Sequence, residues 1–547
     1  MSSRAFPAKA LARDSIALAR VATRRFVMPA PIEWLLLVVG GLLVYRYRWI
    51  LDDSTIYYRY VDNLLFRGRG LVFNQGEFVE GYSSPLWIVW LVAARATHLD
   101  YWSITTVTAI GSYAAFWYAA VVANRALEGG DGGPPVNVPL VVIATAYGPL
   151  CYFSSGSEFP FVQLAAAAVA LFAIRPDSRA LQVALGALPL VRNEFVVPLL
   201  AAGVCGWFAT RRIPWWLVAS SLLMGLGWLL FRVEYYADFF PNPFYLKDKV
   251  SFLDGYYYLR SSFAPYGFEA LAATSAIVIV MLQKRGDGHL CLRSRAIMGI
   301  VAASALPYVL KVGGDMMHYR TLAFAFCLAV LSTGGLLERW LTSVDVVRTP
   351  ATRFAVAAAL GLASFLNYPR FLSSHPVFGQ EERELERGIS DAAWHRHLPI
   401  LAFNGDRGRE DQARLAEYRT ESSAQVGIGS EAFCVHMFND LQKRYVHGYG
   451  LTEPILARVD VPEQRPGHKG DLIALAKDLL AVRTRYPETS VGVTDRAIAD
   501  GVAPAWMVAN RDKIRLVEER MYNTHDFLAN LRSAIRRIGP IRPTPSA

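Results

Sequence analysis

Two adjacent carboxylates, Asp52 and Asp53, follow an apolar run over 33–51 and precede the aromatic stretch IYYRY. A charge this close to hydrocarbon is costly to bury, so acids kept there are expected either to snorkel or to act. Other polar groups recur at the edges of apolar runs. They are Glu77, Glu80 and Tyr82 in EFVEGYSS, Glu158 in SSGSE, Arg192 and Glu194 in RNE, Asn242 and Lys247 in PNPFYLK, and Asp315, His318 and Arg320 in GGDMMHYR. Acids beside cations suit transfer of a group from a phosphate. A carboxylate accepts the proton of an attacking hydroxyl, and Arg or Lys neutralises the phosphate that leaves. Asp52 and Asp53 are the candidate bases, and Arg59, Arg192, Lys247 and Arg320 the candidate phosphate cations. Glu80, Tyr82, Glu158, Glu194, Asn242, Asp315 and His318 are candidates to hold the substrates or a metal, with Tyr57, Tyr58, Tyr235 and Tyr236 as sugar-facing aromatics.

Each of these has a plainer reading. DDST can simply cap the next helix, and Glu158 can do the same for the helix behind it. Gly313-Gly314-Asp315 is good turn chemistry, and Arg192 with Glu194 can be a private ion pair. Arg46 and Arg48, interleaved with Tyr45, Tyr47 and Trp49, read first as an interfacial belt with snorkelling bases. Asp52, Asp53, Glu158 and Asp315 are hard oxygen donors of the kind Mg²⁺ or Mn²⁺ takes, so a divalent cation is an expectation, although no spacing rule joins four separate loops. His436, His447 and His468 are scattered, and the cysteines imply neither a disulfide framework nor a zinc site.

The elements that must position these residues are largely membrane helices. The chain has 547 residues, is 53% hydrophobic and only 19% charged, with mean hydropathy +0.25. Apolar stretches of about 15–22 residues recur from Pro31 to Leu366, after which no spanning-length run remains. Three parts are therefore expected: a basic cytoplasmic tail (1–31), a membrane module (32–367) and a soluble α/β domain on the outer face (368–547). The net charge of +10 is no nucleic-acid footprint, because the bases gather before the first helix and in short turns. If 85–99 lies in the outer interface rather than spanning, every basic loop falls on the cytoplasmic side. The helices are then 33–51, 103–124, 138–153, 160–174, 180–191, 195–209, 214–233, 265–282, 296–312, 320–338 and 353–367, about eleven in all. The pair around Arg192-Asn193-Glu194 reads as kinked or re-entrant. In the soluble part, 380–398 and 470–485 read as helix and SVGVT (490–494) as strand.

This threading of a bacterial inner-membrane protein collects the acids, bases and tyrosines on the outer face. That face has no supply of nucleotide sugars, and the chain has no phosphate-cradling GxxxxGK[ST] loop. An energised donor must then arrive as a lipid phosphate. A carboxylate pair behind the first helix resembles the GT-C superfamily of polyprenyl-phosphate-sugar glycosyltransferases. The blocks DDSTIYYRYVDNLLFRGRGLVFNQGEFVEGYSSPLW, SSGSEFP, LVRNE, RVEYYADFFPNPFYLK, VGGDMMHYR and YGLTEPILAR are similar, in order, to the family that adds terminal β-(1→2) arabinofuranose. It departs at Phe159, Asn193 and Pro243, beside retained Glu158, Arg192, Glu194, Asn242 and Lys247. The resemblance implies a GT-C fold, a lipid-linked sugar as co-substrate, an envelope polysaccharide or lipoglycan as acceptor, no nucleic acid, and one of Asp52 and Asp53 as the base. Another lipid-linked sugar, mannose or glucose, and a lipid-sugar transporter are the alternatives. A transporter would show midplane polarity and an internal repeat, and the chain shows no repeat.

Overall fold

The computed structural model describes residues 28–51, 53–128, 136–247, 250–263, 289–315, 319–343, 349–366, 426–429, 443–461, 464–465, 468–469 and 472–543. The expected helices over 265–282 and 380–398 lie outside the described residues, as do Asp52 and His318.

The first part is helical throughout. Its elements are α1 (Pro31–Arg46), α2 (Ser54–Phe66), α3 (Pro85–Arg95), α4 (Tyr101–Glu128), α5 (Val138–Thr145), α6 (Tyr147–Phe153), α7 (Phe159–Ile174), α8 (Arg179–Gly186), α9 (Leu188–Val191), α10 (Val196–Thr210), α11 (Trp215–Tyr236), α12 (Asn242–Leu246), α13 (Phe252–Phe263), α14 (His289–Ser304), α15 (Leu306–Lys311), α16 (Ala323–Ser343) and α17 (Pro350–Leu366). Among the described residues, three helical stretches are long and apolar enough to cross a membrane: Tyr101–Leu127, Asn193–Thr210 and Trp215–Tyr236. Five further apolar helices are shorter. The expected runs 138–153, 180–191 and 296–312 are each split in two. Pro149, Pro189 and Pro307 explain the splits, because a proline ring clashes with the carbonyl four residues earlier and lacks an N–H to continue the ladder.

The central helix is α7, FPFVQLAAAAVALFAI, buried on most of its circumference. A helix apolar all round belongs inside a bundle, and its alanines let α4, α14 and α16 pack closely against it. Likewise α1 and α4 cross where Gly40 leaves room for the Tyr113 ring, whose hydroxyl donates to the Leu36 carbonyl at 2.8 Å. The chain order sets two ends. At one, Glu33 pairs with Arg125 at 2.5 Å, and Glu338 accepts from the backbone N–H groups of Val136 and Asn137 at 2.8 Å, where α5 begins. Arg175, Arg211 and Arg293 belong to that end. The other end carries the acids discussed below.

The C-terminal residues add β1 (Val426–Gly429), β2 (Arg444–His447), α18 (Pro454–Ala457), β3 (Gln464–Arg465), β4 (His468–Lys469), α19 (Ile473–Arg485), α20 (Val493–Ala499), α21 (Ala505–Ala509), α22 (Arg511–Met521) and α23 (Phe527–Ile535). β1 and β2 are parallel with Val426 opposite Arg444, and β3 and β4 antiparallel with Gln464 opposite Lys469. The SVGVT segment is not a strand. Gly492 turns the chain at φ +91° and starts α20, and the Thr494 hydroxyl donates to Glu518 at 2.6 Å. The core of this part, around Val446, Leu456, Leu479 and Ile514, also takes in Leu246 from the helical module.

Candidate active site

The loop before α2 and the SSGSE loop run side by side. Trp49 N–H donates to the Ser154 carbonyl at 3.0 Å, and Leu51 N–H to that of Ser155 at 2.9 Å. Gly156 (φ +62°) closes this arrangement. The Tyr58 hydroxyl donates to its carbonyl at 2.8 Å, and a Cβ there would press on Thr105 and Tyr58. This pairing brings Asp53 and Glu158 to one end of the bundle. Both occupy helix N-cap positions, yet neither side chain caps its helix. Their carboxylates turn to guanidinium groups: Asp53 pairs with Arg320 and Glu158 with Arg192.

The arginines link further acids. Arg320 Nη1 lies 3.6 Å from Asp315 Oδ1, and Arg192 Nε donates to Glu194 at 2.8 Å. Both guanidiniums stand over the Phe159 ring, 5.7 Å (Arg192) and 6.0 Å (Arg320) from its centroid. Arg192 reaches this place because the helix breaks after α9, where its backbone is extended (φ −152°) before the 3₁₀ turn Asn193–Phe195. Asp315 is set by Gly313 and Gly314, both at positive φ (+79° and +83°). A Cβ on Gly314 would overlap the Tyr258 ring.

Lys247 ends α12 and faces Asp315, Arg192, Arg320 and Glu194 electrostatically. Burial pushes its ammonium below the ordinary lysine range; Asp315 pulls it back, and Arg192 and Arg320 push it down again. Its backbone N–H donates to the Phe244 carbonyl at 3.3 Å, while among the described residues its ammonium makes no hydrogen bond or ion pair. Tyr57, which accepts from Ser83 N–H at 3.2 Å, borders Glu158 and Arg192. Tyr308 on α15 lies in the field of Glu194, Arg192 and Asp315. The sequence marks Phe159 only as a departure from the family pattern and does not point to Tyr308. The signals were there: an aromatic directly behind Glu158, and a tyrosine in an apolar run just before Gly313.

Exposure separates the four described acids. The Asp53 side chain retains 22% of its surface, against 14% for Glu194, 4% for Glu158 and 1% for Asp315. Asp53 is thus the most exposed of the four. Among the described residues no set of three carboxylate, histidine or cysteine donors converges as a metal site requires, and these carboxylates already face arginines. Asp52 and His318, two of the expected donors, lie outside the described residues.

Four of the expected site residues go elsewhere. Arg59 is buried, with Nε on the Phe73 carbonyl (2.7 Å) and Nη2 on that of Lys443 (2.6 Å), so its cation joins the two parts of the chain. Glu80 is paired with Arg232 and accepts from Trp228 at 3.2 Å. The Asn242 amide donates to the carbonyls of Gly450 (2.7 Å) and Leu451 (3.0 Å). Tyr82 shares a hydrogen bond with Tyr236 at 3.0 Å, although its ring lies 5.8 Å from that of Tyr57. These residues form a joint behind the acid–arginine cluster.

The fold and the cluster define a helical protein with an acid–base and cation site at one end of an apolar bundle. Two curated relatives resemble it, both described as terminal β-(1→2)-arabinofuranosyltransferases. The protein of Corynebacterium glutamicum is 26% identical over 338 residues, 52% of this chain and 48% of its own. That of Mycobacterium tuberculosis is 25% identical over 422 residues, 67% of this chain and 66% of its own. The chain thus spans about half of the first relative and somewhat under two thirds of the second. No family model and no solved structure matches.

Proposed function

We propose that this chain is a membrane glycosyltransferase that moves a sugar, arabinofuranose by its relatives, from a polyprenyl phosphate to a hydroxyl of an envelope glycan. The observation that carries this is the gathering of Asp315, Arg192, Arg320 and Glu194 about Lys247, with Asp53 and Glu158 joined to the same arginines and no side-chain partner for the Lys247 ammonium among the described residues. Asp53 takes the proton of the acceptor hydroxyl as its oxygen bonds to the anomeric carbon. The bond from that carbon to the phosphate oxygen breaks, and the lipid phosphate leaves with the electron pair. Lys247, with Arg192 and Arg320 behind it, stabilises the negative charge that grows there. Arg320 joins the two halves, because it holds Asp53 on one side and Asp315 on the other. Half-buried Tyr308 supplies aromatic surface for the sugar, while buried Tyr57 and Phe159 back the arginines. The site end faces outward on this reading, since the basic loops lie at the opposite end.

A lipid-sugar transporter shares one feature, the helix break at Arg192. Membranes containing the chain, given labelled polyprenyl-phosphate arabinofuranose and, separately, mannose and glucose donors with a glycan acceptor, distinguish these readings by linkage analysis. A new glycosidic bond from the arabinose donor is the expected product. A bond from another donor changes the sugar. Movement of the lipid between vesicles with no new bond overturns the reading.

A further inference from the structure

The C-terminal helix α23 presents an apolar face that no part of the described chain covers. Leu528 and Ile535 are 61% and 65% exposed, and Phe527 37%. Helical spacing puts these three on one side, with half-buried Leu531 between them. Asn530 and Ala534 are the buried side. Arg532 and Arg536 edge the apolar face, and Arg537 follows. Single exposed leucines are ordinary, but a clustered face on a short helix rimmed by arginine is the pattern of an element lying in a lipid interface.

The place of the helix says what covers it. The Asn530 amide donates to the Glu234 carbonyl at 2.7 Å and that of Asn523 to the Tyr235 carbonyl at 2.8 Å, so α23 sits on the last turn of α11. α11 is one of the helices long and apolar enough to span, and its exposed stripe includes Leu223, Leu226 and Leu230, at 76%, 53% and 55%. Glu234 comes four residues after Leu230 on that stripe. The α23 face therefore continues the lipid-facing side of α11 at the level where α11 leaves the bilayer. Phe240 and Phe244, just beyond that exit, are also about half exposed, with rings stacked at 4.3 Å.

We infer that α23 lies in the headgroup boundary of the leaflet from which α11 emerges, with Phe527, Leu528 and Ile535 among the upper acyl chains and Arg532, Arg536 and Arg537 at anionic headgroups. The inference rests on reading α11 as a membrane span and not on the reaction catalysed.

The test uses the full chain in vesicles of phosphatidylcholine and phosphatidylglycerol. An environment-sensitive fluorophore is placed on Leu528→Cys, Ile535→Cys or Arg536→Cys, and the signal of the chain without the added cysteine is subtracted. Val508→Cys, exposed on α21, is the reference. Lipid-borne nitroxide near the headgroup should quench positions 528 and 535 several-fold more than position 508. A water-soluble nitroxide should do the reverse, with position 536 intermediate. Equal quenching at 508 and 528 overturns the inference, as does protection of 528 and 535 from both reagents, which would mean a second protein surface covers them. Because the readout is position and not turnover, it can fail while sugar transfer stands.

Discussion

At the residue scale, what each charge can do depends on which charges are already matched. Among the described residues the Lys247 ammonium is the site cation without a hydrogen-bonded or ion-paired partner, and on the proposed reading, in which it meets the donor phosphate, its lowered pKa gives it a pH signature. The bound phosphate favours the charged ammonium, so donor affinity is full below the lysine's depressed pKa and falls as pH rises through it, earlier than an ordinary lysine near 10.5 would allow. Donor KM measured against pH should therefore climb on the alkaline side, and Lys247→Arg should flatten the climb. Lys247→Ala should weaken donor binding by about 10- to 100-fold, the worth of one charge-assisted hydrogen bond. Arg192 behaves differently. Its removal leaves Glu158 and Glu194 without their shared cation, so Arg192→Ala should destabilise the fold by about 3–5 kcal/mol in a melting experiment as well as abolish transfer.

At the element scale, breaks and turns place the chemistry. Arg192 follows the break set up by Pro189, Tyr308 follows Pro307, and Asp315 follows two glycines in left-handed conformation. Gly314→Ala should cost roughly 1–3 kcal/mol from backbone strain alone, and more from the overlap with Tyr258. Its melting point should drop, with kcat falling further than stability explains as Asp315 shifts from Arg320. The sequence made the acid blocks visible because charges at the ends of apolar runs are conspicuous. It hid which of them meet. Arg59 looked like a phosphate ligand, and nothing local in IYYRY foretold that its partners would be carbonyls of Phe73 and Lys443. The splits at Pro149, Pro189 and Pro307 were legible from proline chemistry, but hydropathy alone merges them into long helices. SVGVT alternates like a strand, and only the φ of Gly492 decides against it.

At the scale of the whole molecule, the C-terminal part is clamped to the helical part by buried charges. Across the joint, Glu77 pairs with Arg444 and lies 3.9 Å from Arg483, and Asp238 pairs with both Arg458 (2.6 Å) and Arg520 (2.9 Å); within the C-terminal part Glu453 holds Arg483 in place. The Asn242 contacts join the PNPFYLK and YGLTEPILAR blocks directly, so two stretches far apart in sequence are one joint. Arg483→Met leaves Glu453 uncompensated and should lower stability by about 3–5 kcal/mol. The clamp should also be acid-sensitive. Burial raises the pKa of Glu77, but Arg444 and Arg483 outweigh it and hold the carboxyl below the ordinary 4.5. A depressed carboxyl contributes stability above its unfolded pKa and loses it as pH falls through the folded one. Limited proteolysis should therefore leave the joint intact at neutral pH and cut it only below pH 4.5.

The most direct measurement compares the unaltered chain with Asp53→Asn in vesicles, following single-turnover formation of the glycosidic bond and, separately, binding of the polyprenyl-phosphate donor. The account predicts donor binding within about twofold and bond formation slowed by about 10²–10⁴-fold, the usual worth of a positioned base. Bond formation at the unaltered rate in Asp53→Asn would contradict it.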